Sequence, residues 1–225
     1  MNTREFLLEV LAEGNYYCLL ALLNGSEGRR QTFYNSIDDL IEAAYEYDAG
    51  GWDAYVAMGT FAEKGSRTQK AVQNVKAFYF DLDVDPDDDK KYASQAEALH
   101  GLRSFCKDLR LPKPLIVDSG RGVHVHWPLA ESVERERWEV VANRLKSLTK
   151  EKGLLADHAV TSDSARVLRI PNTHNHKTDP PIPVEFMYAK AKPVDVGEFA
   201  ELLGYETIPV PSPVSGTNAV IFFFF

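Results

Sequence analysis

Apolar and polar positions alternate along this chain in two distinguishable regimes. From Thr3 to Ala12, Phe6, Leu7, Val10 and Leu11 recur at helical spacing until Asn15 breaks the pattern. Tyr16–Leu23 and Gln31–Tyr34 read as strands joined by the turn Asn24-Gly-Ser-Glu-Gly28. Ser36, with Asp39 three residues on, opens a helix through Tyr47 that Gly50-Gly51 closes, and Asp53–Phe61 reads as a further strand. Residues 1–61 thus predict a small αβ unit. From Val75 the chain changes character: Val75–Val84 is a dense apolar strand that ends in acid. A helix over Ser94–Leu109, a strand at Pro114–Val117, a turn at Ser119–Gly122 and a strand at Val123–Leu129 follow. Glu131–Lys152 predicts a long amphipathic helix stopped by Gly153, Ile182–Tyr188 a late strand, and Asp195–Leu203 a short helix closed by Gly204. The order from Val75, β-α-β-β-α-β, is that of ferredoxin-like and RRM modules, so an α+β fold is expected. Pro209-Val-Pro-Ser-Pro213 reads as the start of a linker or tail over 206–225.

Composition narrows this picture. A chain of 225 residues, 44% hydrophobic, supports one substantial core, here expected over 1–205. Its two cysteines, Cys18 and Cys106, lack CxxC partners, so neither a cysteine zinc site nor a disulfide framework is expected, and no zinc is expected in the chain. The amino terminus has no basic n-region, and the one dense apolar run, Ala219–Phe225, is too short to span a bilayer; no membrane association and a cytoplasmic location are expected. A net charge of -8 argues against coating nucleic acid by bulk electrostatics, though not against gripping it locally.

Three stretches carry chemistry. In Asp81-Leu-Asp83 two residues of one strand point to the same face, so both carboxylates project together. They repel unless a cation sits between them, and hard ions such as Mg²⁺ take carboxylate oxygens while keeping positions for phosphates. In Asp118-Ser-Gly-Arg-Gly-Val-His-Val-His126, glycines flanking Arg121 let backbone amides approach an anion, and His124 and His126 share a strand face within reach of phosphate or metal. The segment from Asp157 to Lys177 adds acids Asp157 and Asp163 to Arg166, Arg169, His174, His176 and Lys177, a crowd of cations suited to a triphosphate.

These stretches, in this order over roughly 75–190, resemble the motifs of the archaeo-eukaryotic primase superfamily. Phe80-Asp-Leu-Asp83 matches its strand ending in Asp-x-Asp, and Ser119-Gly-Arg-Gly-Val-His124 its serine–glycine turn leading to a histidine. Its acid and Arg-rich segment is matched by Asp157, Thr161, Asp163, Arg166, Arg169, Pro171, Thr173 and Lys177. Asn172, and a histidine-rich His174-Asn-His176, depart from the usual pattern. The resemblance implies an archaeo-eukaryotic primase fold in which 1–61 precedes an RRM-like module at 75–190. It implies a DNA primase-polymerase that makes or extends primers by two-metal nucleotidyl transfer. Asp81, Asp83 and Asp157 would hold two Mg²⁺ or Mn²⁺ ions, with Asp163 competing for the third position. Ser119, Gly120, Arg121, His124, Arg169, Thr173 and Lys177 would contact a dNTP or NTP, and Arg67 and Lys70 a single-stranded DNA template. His124 would bond a phosphate oxygen rather than act as a base. By the same resemblance the chain would be a monomer of phage or plasmid origin, working beside a replicative helicase or a further domain.

Two other readings compete. His124-Val-His126 is the His-hydrophobe-His of HUH-type strand-nicking initiators and relaxases, which also need a nucleophilic tyrosine on a nearby helix; Glu131–Lys152 has none. A non-catalytic RRM-like module would stack bases on sheet aromatics. Phe78 and Phe80, however, sit on the face opposite Asp81 and Asp83 and read as core.

Overall fold

A computed structural model of the protein describes residues 1–209. The Pro-rich stretch beyond Pro209 and the apolar run Ala219–Phe225 lie outside the described residues.

The chain begins with α1 (Thr3–Val10), capped reciprocally by Asn2 and Glu5, and continues into the hairpin β1 (Tyr17–Leu22) and β2 (Arg29–Tyr34). In α2 (Ile37–Ala49), Ser36 caps the amides of Asp38 and Asp39, satisfying donors that the helix itself leaves open. The expected strand at Asp53–Phe61 is two: β3 (Asp53–Ala57) pairs with β1, and β4 (Gly59–Phe61) belongs to a different sheet. The switch falls at Met58, whose amide leaves the ladder to donate to the Arg166 carbonyl. A single 3-10 turn, Gln69–Ala71, leads into β5 (Val72–Asp83).

The second half contains α3 (Gln95–Leu109), β6 (Leu115–Asp118), β7 (Gly122–Glu134) and α4 (Arg135–Lys152). The helix expected from Glu131 therefore starts four residues later. Val133 and Glu134 instead extend the ladder to Val75 and Asn74, and Val133 buries its side chain there. Short elements follow that the periodicity did not predict: α5 (His158–Thr161), β8 (Val167–Arg169) and β9 (His174–Asn175). The late strand Ile182–Tyr188 divides at Val184 into β10 (Ile182–Pro183), paired with β9, and β11 (Glu185–Tyr188), paired with β6. The last element is α6 (Val196–Leu202).

The fold is α+β. One antiparallel sheet runs β2-β1-β3-β8 and the other β11-β6-β7-β5-β4. The expected β-α-β-β-α-β succession is present as β5-α3-β6-β7-α4-β11, with β7 between β5 and β6. Its last strand joins the β6 edge, because the β5 edge is already taken by β4, its near neighbour in sequence. The two regions of the chain exchange strands: β4 joins the later sheet, and β8 joins the earlier one. One apolar core runs continuously through both.

The five-stranded sheet has two different faces. On one, Phe78 stacks with Phe199 of α6 and Trp138 of α4, and Phe80 packs against Phe105 of α3 and Trp127. These aromatics are core, which leaves no base-stacking platform of the RRM kind at Phe78 and Phe80. The other face carries Asp81, opposite His124 in register, and His126, opposite Tyr79. There α1 covers His126, with the Phe6 ring edge-on at 5.1 Å.

Candidate active site

Asp81 sits where three pieces of chain meet. On β5 it pairs with His124 of β7, and its carbonyl accepts a 2.9 Å hydrogen bond from the Asp157 amide. That bond fastens the start of α5 to the strand and puts a third carboxylate beside the first two. The result is a cleft of about 450 Å³ lined by Asp81, Asp83, His124 and Asp157 on one side. Ser119, Arg121, Arg166 and Lys177 supply much of the remainder.

The acids are held in a state that favours a cation. Among the described residues, the nearest basic group to the Asp81 carboxylate is His124 Nε2 at 3.7 Å, too far for a hydrogen bond. Burial pushes the Asp81 carboxyl up to about 6, with Asp157 adding to the rise and Arg166 and Arg169 opposing it. Burial, then the neighbouring Asp81, also raises Asp83, which stands further out at the rim. Paired carboxylates to which no described residue donates gain most from a hard divalent ion, so Asp81 and the more exposed Asp83 fit Mg²⁺ or Mn²⁺. Asp157 is partly engaged, its carboxylate accepting from the Ala159 amide and lying 3.5 Å from Arg166. Asp163, the other acid considered for the third position, does not line the cleft; it accepts from Gln69 and the Ala165 amide.

His124 is buried and its Nδ1 makes no hydrogen bond among the described residues. Burial, reinforced by Arg169 and Arg166, lowers it to about 3, so the ring is neutral at physiological pH. His126 is sealed beneath Phe6 with neither ring nitrogen bonded among the described residues. Only one histidine of the His-x-His pair therefore reaches the cleft, and a nuclease using both as metal ligands has no second ligand here.

The serine–glycine turn is shaped by close approach. Gly120 adopts φ +85, and a side chain at Gly122 would come within 2.6 Å of the Leu82 carbonyl oxygen. Of the glycines expected to bring backbone amides to an anion, Gly120 already donates its amide to the Asp118 carboxylate, and the Ser119 amide beside it donates to the Gly122 carbonyl. What the turn offers the cleft is the Ser119 and Arg121 side chains.

The basic segment divides. Arg166 and Lys177 face the cleft. Arg169 lines it too, but its guanidinium is committed: it pairs bidentately with Asp53 at 2.7 and 3.1 Å, donates to Asn175, and lies over the Tyr55 ring at 4.7 Å. Burial works against ionising Asp53, and the Arg169 hydrogen bond and charge outweigh it to leave its carboxyl lowered. Thr173 is buried, its hydroxyl donating to the Ile170 carbonyl away from the cleft. His174 and His176 turn from the cleft towards Asp48. Arg67 donates to the Ala165 carbonyl and Lys70 lies exposed in the 3-10 turn; neither lines the cleft.

Four contributors went unnoticed in the sequence. Asp53 and Tyr55 hold Arg169, Asn175 ties Arg169 to the Ser119 carbonyl, and Lys91 closes the acidic rim beside Asp85 and Asp88. Only Lys91 has a local signal, as the second of the two lysines that follow the acidic run.

No protein-family model matches the chain, and no curated protein matches it. Solved structures do. The chain aligns with the AEP domain of the cyanophage S-2L primase-polymerase at a TM-score of 0.61 and 17% identity, covering 84% of this chain and 89% of that one. It aligns with primase RepB′ at 0.58 and 15% identity, covering 90% of this chain but 60% of that one. The catalytic domain of primase RepB′ in complex with initiator DNA gives 0.55 and 16% identity, covering 84% and 86%.

Proposed function

The chain has the archaeo-eukaryotic primase fold, and we propose that it is a template-directed nucleotidyltransferase that makes or extends primers on single-stranded DNA. One observation carries this reading: two carboxylates without protein donors among the described residues, Asp81 largely buried and Asp83 at the exposed rim, line one side of a cleft to which Arg121, Arg166 and Lys177 bring positive charge. Acids that hold metal and cations that hold phosphate are what joining a nucleoside triphosphate to a 3′-hydroxyl requires.

In that reaction the hydroxyl oxygen forms a bond to the α-phosphorus, the α–β phosphoanhydride bond breaks, pyrophosphate leaves, and the hydroxyl proton passes to solvent. Asp81, Asp83 and Asp157 would hold Mg²⁺ or Mn²⁺, which when bound would supply Lewis-acid activation of the hydroxyl and charge neutralisation for the leaving group. The neutral His124 ring donates a hydrogen bond to a phosphate oxygen. Ser119, Arg121 and Lys177 orient the triphosphate, and Arg166 steadies Asp157. Arg169 acts by fixing the wall behind them through Asp53. Arg67 and Lys70, outside the cleft, are the candidates for template contact, Lys70 being exposed and Arg67 partly committed to the Ala165 carbonyl.

The test is incubation of the purified chain with single-stranded template, Mg²⁺ or Mn²⁺ and labelled nucleotides, with and without a primer. Incorporation is expected, and Asp81→Ala and Asp83→Ala should each abolish it with an unchanged circular dichroism spectrum. Near-normal synthesis by either variant would overturn the two-metal reading.

A further inference from the structure

The cysteines argue against a thiolate zinc site and say nothing of one built from histidine. Asp48, in the last turn of α2, meets His174 at the start of β9 and His176 just beyond its end, both rings turned to the same carboxylate. His174 Nδ1 lies 2.9 Å from one Asp48 carboxylate oxygen, and His176 Nε2 2.9 Å from the other. One ligand atom from each of the three residues lies within 4.8 Å of the other two. We propose that these residues form a second metal site, distinct from the aspartate cleft, that takes a borderline ion of the zinc class.

The donor set selects the ion. Two imidazoles and one carboxylate are borderline ligands that suit Zn²⁺, whereas Mg²⁺ prefers oxygen and retains its waters. Bonds of about 2.0–2.2 Å in tetrahedral geometry place neighbouring ligand atoms roughly 3.3–3.5 Å apart. The observed 2.9 Å contacts run to the two different Asp48 oxygens, so an ion between the three side chains needs each contact to open by about half an ångström, with all three ligand atoms already within 4.8 Å of one another. His174 is half exposed, so the ion has a route in and a fourth position for water, while His176 and Asp48 are largely buried and pre-placed. The position at the carboxyl end of α2 adds the negative end of the helix dipole. The surrounding shell is already built: the His174 amide donates to Asp48 and the His176 amide to Asp53.

Such an ion would fasten the end of α2 to the 174–177 segment. Asn175 within it holds Arg169 and the Ser119 carbonyl, and Lys177 at its end lines the cleft. The site is thus a structural tie behind the cleft, and it stands whether or not the chain polymerises nucleotides.

Isothermal titration of the full, chelator-treated chain with Zn²⁺ in excess Mg²⁺ tests it, alongside His174→Ala, His176→Ala and the double variant Asp81→Asn/Asp83→Asn. The wild type and the aspartate variant should each bind one equivalent, with a matching rise in melting temperature. Losing an outer-shell partner already weakens metal sites by roughly 10–100-fold, so losing a ligand should weaken zinc at least tenfold. His174→Ala, an exposed position, keeps the test meaningful if His176→Ala fails to fold. The proposal is wrong if the wild type takes up no zinc, if His174→Ala binds it as the wild type does, or if the aspartate variant is the one that loses it.

Discussion

The buried pair Asp53–Arg169 joins β3 to β8 across 116 residues of sequence, and it decides whether Arg169 can be read as a nucleotide ligand. Asp53 is wholly buried and Arg169 is 5% exposed, so removing one partner strands the other's charge out of water. Asp53→Ala also removes an acceptor from Asn24 and from the His176 amide. Breaking a buried pair in this way costs about 3–5 kcal/mol. At roughly 2–4 °C per kcal/mol for a chain of this size, the melting temperature should fall by roughly 6–20 °C. Replacing both partners, as in Asp53→Leu/Arg169→Met, should recover most of that loss, because neither charge is then left unpaired. The sign in pH follows from the lowered Asp53 carboxyl. The stabilisation is present above the ordinary value of 3.8 and is lost as pH falls through the folded value below it, so wild type and Asp53→Ala should converge in acid. Urea unfolding followed by tryptophan fluorescence between pH 7 and pH 3 measures both effects. A cost below about 1 kcal/mol at pH 7, the size of an exposed ion pair, would refute the reasoning and return Arg169 to the list of free phosphate ligands.

The remaining predictions concern groups in or beside the cleft. Asp81 is raised from 3.8 to about 6, so between those values the folded state holds a proton the unfolded chain has released, and stability falls as pH rises. Asp81→Asn should therefore stabilise the metal-free protein above pH 6, by at most about 3 kcal/mol at 1.36 kcal/mol per unit; a lower melting temperature there would contradict the burial argument. His124→Ala should cripple incorporation, while His126→Phe, which fills the space under Phe6 and removes two unbonded nitrogens, should retain it. Equal losses accompanied by nicking of single-stranded DNA would favour a His-x-His nuclease instead. Lys177→Ala removes a charge-assisted contact worth about 1.5–3 kcal/mol. Nucleotide affinity should then fall roughly tenfold or more at 1.4 kcal/mol per decade. Affinity for single-stranded DNA and its salt slope should hold, and their collapse in a salt series would make this segment a template clamp.

What could be read from the sequence divides along the range of the forces involved. β5 was legible because its apolar run and its two acids alternate faces within the strand itself, and α2 because Ser36 caps it locally. The end of β7 reads as helix in the sequence because what keeps Val133 and Glu134 extended is pairing with Val75 and Asn74, about sixty residues upstream, while the Ala130 amide donates to the Val194 carbonyl downstream. β8 and β9, three and two residues long, carry too few positions for any period to show, and they exist because β3 and β10 present edges to them.

The same distinction separates the two ways a residue entered the cleft. Asp81, Asp83, Ser119, Arg121 and His124 lie on strands and a turn that pair with one another, so strand alternation alone carries them to one place. Asp157 and Asp163 were indistinguishable as sequence, both being acids before an arginine. A single backbone hydrogen bond, from the Asp157 amide to the Asp81 carbonyl, brings one acid to the cleft, while Asp163 turns to Gln69. Residue type could nominate Arg169, Thr173, His174 and His176 as phosphate ligands, since each has the donors. It could not reveal that Asp53, the Ile170 carbonyl and Asp48 had already claimed them. For a long-range site the deciding information is which donors remain unspent after folding, and by that measure Lys177 and Arg121 are the cations of this segment and turn best placed to meet a substrate, Arg166 being shared with Asp157.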